Sequence, residues 1–187
     1  MSGTQTATKK TTTWQIDPAH TSVEFTVKHM MFSKVRGRFE SVEGALRYDP
    51  DGDLSDAGVE VTIDAASIDT GQPDRDEHLR SADFLDAEEY GELRFESTAI
   101  EARGDDEFRV TGNLTIHDVT KEVELEAELS GLATDPWGNE RIAFSGSTTI
   151  DRRDFGLTWN QALETGGVLV GQEVQISIEV QATQADD

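Results

Sequence analysis

Val23, Phe25 and Val27 alternate with Glu24, Thr26 and Lys28, and the same period of two recurs in segment after segment toward the C-terminus. Successive side chains of a strand point to opposite faces, so each such segment has one wet face and one buried face. After Val35, Gly37 and Phe39 the apolar positions shift register to Val42, Leu46 and Tyr48. A bulge at Glu40 and Ser41 accounts for the shift and would curve one long strand. Val59, Val61 and Ile63 come next, followed by Leu93 and Phe95, then Phe108, Val110, Leu114 and Ile116. In the segment holding Val119, Val123, Leu125 and Leu129, the residues Glu122, Glu124, Glu126 and Glu128 take every outward position. Ile142, Phe144, Gly146, Thr148 and Ile150 continue the pattern, and Val174, Ile176, Ile178 and Val180 complete it.

The long alternating segments number eight and follow one another in meander order through short turns such as 104–107 and 135–139. Eight antiparallel strands close into a barrel just wide enough to be filled by side chains or to hold one slender ligand. The expected fold is therefore all-β, an eight-stranded antiparallel barrel with one short helix in a loop. That helix starts at Pro73 with Asp74, Asp76 and Glu77 in its first turn, where a proline and acidic residues are favoured. The small inward residues Gly37, Gly44, Ser97, Gly112, Ala127, Gly146 and Thr148 leave volume beside Phe25, Phe39, Phe95 and Phe144. At 187 residues the chain makes one domain, expected over 13–183, with polar tails at 1–12 and 184–187.

The cluster Met30, Met31 and Phe32 interrupts the alternation between two strands. Loops normally face water, so this corner is either covered by the protein or meets something apolar. The plainer expectation places it mainly in the core, although methionine adapts equally well to irregular apolar partners.

Acidic residues outnumber basic ones 38 to 16, a formal net charge of -22. Such a surface repels phosphates, which argues against nucleic acid as a partner and against simple attraction to an anionic membrane. The chain has only five lysines, the pattern of acidic proteins from salt-accumulating microbes, and salt would screen its self-repulsion. There is no cysteine, so disulfides and thiolate chemistry are excluded. The opening MSGTQTATKKTTT lacks the apolar run of a signal peptide, and no stretch has the length of a transmembrane helix. The expected location is cytoplasmic as given, or periplasmic or secreted if the N-terminus was processed.

His20, His29, His78 and His117 show no spacing that makes a metal pair, and no cofactor motif is present. The loop at 49–58 carries Asp49, Asp51 and Asp53 but has Leu54 where a calcium loop needs glycine, and reads as a hairpin loop. His29 is aimed inward by alternation at the end of the apolar corner. In DRRDFGLTWN, Arg152 and Arg153 stand beside Phe155, Leu157 and Trp159. This is either a strand end with salt-bridged arginines or a cationic rim with aromatic walls for the head group of an amphiphile.

Taken together, WQIDPAHTSVEFTVKHMMFSKVRGRF, VTIDAASIDTG, RDEHLRSADFLD, LTIHDVT, DRRDFGLTWN and LETGGVLVGQEVQISIEV closely resemble the YceI-like family, lipocalin-like barrels associated with polyisoprenoid binding. The resemblance implies binding without catalysis, in a tunnel that takes a polyprenyl or similar long lipid such as an isoprenoid quinone. It implies tunnel walls at Phe25, Val27, Met31, Phe39, Ile63, Phe95, Ile116, Phe144, Phe155 and Trp159, with His29, Arg75, His78 and Arg153 at the mouth. A homodimer is compatible with it. The alternatives are a hydrolase or isomerase using His29 or His78 as a base, for which no nucleophile or oxyanion site can be assembled, and an interaction scaffold without ligand.

Overall fold

The structure, a computed structural model, describes residues 12–163 and 167–185. The expectations for the extreme termini and for residues 164–166 lie outside the described residues. The strands are β1 (Thr13–Ile16), β2 (Ser22–His29), β3 (Ser33–Phe39), β4 (Val42–Arg47), β5 (Gly58–Asp64), β6 (Ile68–Asp69), β7 (Glu92–Ala102), β8 (Glu107–Ile116), β9 (Val119–Thr134), β10 (Glu140–Asp151) and β11 (Val170–Gln184). A helix, α1 (Pro73–Arg80), lies between β6 and β7.

All strands pair antiparallel in the order β1-β4-β5-β7-β8-β9-β10-β11-β2-β3-β6, and β1 also pairs with β11, which closes an eight-stranded ring. Beyond that ring the wall continues through β2, β3 and β6. In effect β1 and β2 are one long segment lying along β11, β3 leads into β4, and β5 leads into β6. Three of the eight walls are thus each broken in two by a kink, and the meander order holds.

Each kink has a local cause. Pro18 opens a 3-10 turn capped by Asp17, whose Oδ1 accepts from the Ala19 amide at 3.0 Å. At the expected bulge the Glu40 and Ser41 amides leave the ladder and donate to the Ser67 carbonyl and hydroxyl, each at 3.1 Å. The turn Ala65–Ser67 that supplies them is capped in turn by Asp64. The Glu40 and Ser41 amides therefore keep partners outside the ladder, which is what a bend away from water requires.

One end of the barrel carries the start of β1 and the end of β11 and is crossed by a packed layer. Ile16, Ala182 and Ile142 stand side by side across β1, β11 and β10, all buried, and Trp14 donates from Nε1 to the Tyr48 carbonyl at 2.8 Å. The other end carries the β2–β3 hairpin, α1 with residues 81–91, and residues 152–163 and 167–169. Arg80 ties α1 down, donating to the carbonyls of Ala66 at 2.9 Å and Ile68 at 3.0 Å.

The corner between β2 and β3 is not core. His29 pairs with Ser33, so three residues must make the turn past the last rung of the ladder. Met30, Met31 and Phe32 are 40%, 56% and 82% exposed. The turn carries them off the end of the barrel, out of reach of the inward-facing rows.

Candidate functional site: an apolar cavity opening at the helix end

Alternation sends Phe25 and Val27 of β2, Ile63 of β5, Phe95 of β7, Val123 of β9 and Ile176 of β11 into the barrel, where they wall a cavity of about 320 Å³. That volume lies within the range of ligand pockets. The wall is almost wholly apolar. Many of its side chains are only half-buried because they face open space inside the barrel, unlike the packed Ile16, Ile142 and Ala182. A second cavity of about 120 Å³ sits toward the termini, lined by Tyr48, Phe108 and Phe144 among others. Val61, Phe95, Leu125 and Ile178 belong to both linings and form a waist between them.

Two glycines keep the lumen open. Gly37 is paired with Phe25, and a Cβ on Gly37 would stand 2.3 Å from the Phe25 ring tip. A Cβ on Gly112 would stand 2.5 Å from the Phe95 ring tip. Both rings therefore lie along the wall over a neighbouring strand and do not project toward the axis. The small residues expected to leave volume do so here indirectly, by accepting aromatic rings.

At the mouth, α1 and the segment after it meet the segment after β10. The rings of His78, Phe84 and Trp159 form a triad, with centroids 4.7 Å apart for His78 and Trp159, 5.1 Å for His78 and Phe84, and 5.3 Å for Phe84 and Trp159. His78 Nε2 lies 2.9 Å from Asp83 Oδ2, which orients the ring. Arg75 donates from Nε to the Thr70 hydroxyl at 2.7 Å and from Nη2 to the Thr70 carbonyl at 2.8 Å. The buried Asp76 carboxylate holds Thr70 in turn by accepting from its amide at 2.9 Å.

Arg152 is buried and lines the same cavity. Its guanidinium donates to the carbonyls of Leu157 at 2.6 Å, Gly171 at 2.8 Å and Trp159 at 2.9 Å. Burial pushes its pKa below the usual arginine value. This clamp fixes the segment that presents Trp159 to the mouth.

Of the residues expected at the site, Phe25, Val27, His29, Phe39 and Ile63 line the larger cavity, as do Arg75, His78, Phe95, Ile116 and Trp159. Four lie elsewhere. Met31 is on the hairpin tip, Phe144 faces the second cavity, and Phe155 is fully buried in the core. Arg153 turns outward, with Nη2 2.6 Å from Asp151 Oδ2, and this pairing holds the Asp151 carboxyl at about 2. The lining also includes Lys28, Phe84 and Arg152. β10 ends at Asp151, and the 3-10 turn Arg152–Phe155 that follows, capped by Asp151, is what buries Arg152 and turns Arg153 outward. Phe84 sits in an irregular segment that has no period to read.

His20 pairs with Asp17 at the kink after β1, and His117 bonds the Phe84 carbonyl while stacking on Tyr90. Among the described residues no group of three or more His, Asp or Glu side chains is placed to hold a metal ion. No helix among them is long and apolar enough to cross a membrane.

Residues 14–182, nearly the whole described barrel, match the family model of the YceI-like domain. The chain belongs to the YceI-like domain family. A UPF0312 protein of Vibrio parahaemolyticus is 41% identical over 139 residues, covering 74% of this chain and 73% of that one. Among solved structures, this YceI-like domain is similar to Burkholderia cenocepacia BcnA, with a TM-score of 0.79 and 27% identity over 90% of this chain and 99% of the other. A polyisoprenoid binding domain from Saccharophagus degradans shares the fold at a TM-score of 0.71 and 15% identity, covering 92% of this chain and 98% of that domain.

Proposed function

We propose that this YceI-like domain binds a polyisoprenoid or a similar long-chain lipid, such as an isoprenoid quinone, and carries or stores it without turnover. The observation that supports this most directly is the apolar cavity of about 320 Å³, narrowed to a waist toward the second cavity and bordered by Lys28, His29, Arg75 and His78 at the other end. A chain with an apolar tail and a polar head fits that polarity, tail inward and head at the mouth. Each enclosed methylene contributes about 0.8 kcal/mol, so affinity accrues along the tail without polar contacts. The polyisoprenoid binding domain that shares the fold supports the same ligand class.

The test is to extract the purified protein with organic solvent and analyse the extract by mass spectrometry beside an Ile176→Trp variant, whose indole would occupy the lumen. A long-chain isoprenoid in near-stoichiometric amount from the parent, absent from the variant, is the expected result. His78→Ala should retain the lipid, since a binding role does not require that imidazole as a base. Equal lipid in parent and Ile176→Trp extracts, or a parent that stays empty even after incubation with polyprenol, would sink the reading.

A further inference from the structure

The β2–β3 hairpin leaves three successive large apolar side chains exposed at the rim of the cavity mouth, Phe32 most of all, while Met31 passes beside Gly167. Its backbone does so against local preference. Met30 and Met31 have φ of +52° and +70°, the left-handed region in which a Cβ is disfavoured and hairpin turns ordinarily use Asn or Gly. Nothing in the described fold covers Phe32, which is 82% exposed.

The flanks of this tip carry positive charge on a strongly acidic molecule. Lys28 and Lys34 face each other across the ladder, and Arg36 lies two residues further along the outer face of β3. None of the three forms an ion pair among the described residues, whereas Arg38, on the same face, pairs with Glu40 and Asp69. The acidic row Glu122, Glu124, Glu126 and Glu128 is on β9, directly across the ring from β3. At physiological ionic strength charges are screened beyond about 8 Å, so a surface approaching the hairpin meets its lysines and not the net charge of -22.

We propose that this hairpin docks on an anionic phospholipid bilayer, with Met31 and Phe32 entering the interface and Lys28, Lys34 and Arg36 pairing with lipid phosphates. An apolar wedge and a basic flank together are what stable interfacial attachment takes, since neither alone holds a protein firmly. Lys28 belongs both to this flank and to the cavity lining, so docking sets the mouth against the membrane surface. The proposal stands on the hairpin itself, and the cargo reading explains only why the hairpin adjoins the mouth.

Flotation with vesicles of mixed phosphatidylglycerol and phosphatidylcholine tests it. The parent should float with these vesicles and much less with phosphatidylcholine alone. Met31→Asp with Phe32→Asp should lower the bound fraction at least about tenfold, and Lys28→Gln with Lys34→Gln about tenfold on the anionic vesicles only. Trp137→Asp removes an equally exposed aromatic side chain, 81% accessible, at the opposite end and should change nothing. All these positions are exposed, and circular dichroism checks that each variant keeps the barrel. A parent that does not float, tip variants that float as well as the parent, or an equal loss with Trp137→Asp would each overturn the proposal. Sedimentation showing that the tip joins two copies, with no vesicle binding, would overturn it in favour of a self-association surface.

Discussion

Gly37 shapes the cavity by leaving room for the Phe25 ring. Its hydrogen is what lets the Phe25 ring lie flat, since a methyl group there would also come within 2.8 Å of Thr70 Cγ2. Gly37→Ala should therefore swing Phe25 into the lumen, cost roughly 1–3 kcal/mol in overpacking, and reduce uptake of an apolar fluorescent dye. Dye uptake equal to that of the parent would show that the ring relaxes elsewhere. The adjacent arginines show what a single residue step decides. Both open the 3-10 turn Arg152–Phe155 that follows β10, and there one guanidinium is buried among carbonyls while its neighbour pairs with Asp151 in solvent.

Among the elements, the kinked segment after β1 and the loop between β9 and β10 are joined by one side chain. Arg141 donates from Nε to Asp135 at 2.9 Å and from Nη1 to Asp17 at 3.0 Å. The Asn139 amide and Arg141 hold the Asp135 carboxyl at about 2, and Arg141 with His20 lowers that of Asp17. Carboxyls depressed in the folded state contribute stability that is complete above the unfolded value near 4 and is lost as pH falls through about 2. Arg141→Gln should lower the melting temperature at neutral pH, and the gap from the parent should narrow as pH drops through this window. A gap independent of pH would mean that Arg141 acts through packing. The helix at Pro73 and the break at Glu40 and Ser41 were both legible in proline, acid and register signals. The pairing of β6 with β3, and of β1 with both β4 and β11, was not, because hydrogen-bond partners distant in sequence leave no trace in local periodicity.

For the whole molecule, a net charge of -22 on 187 residues predicts strong self-repulsion in dilute buffer. Melting temperature should rise between dilute buffer and molar KCl, and a flat or falling curve would show that the carboxylates are already accommodated. The eight alternating segments determined the all-β barrel and which face of each strand turns inward, since a period of two specifies both. Composition determined the acidic surface and ruled out cysteine chemistry. Only the tertiary structure decided that the Met30, Met31 and Phe32 corner stands in solvent, because burial depends on which neighbours reach a turn. It also decided that the lumen stays open, since that rests on aromatic rings seated over glycines of adjacent strands, a three-dimensional fit that residue order does not encode locally.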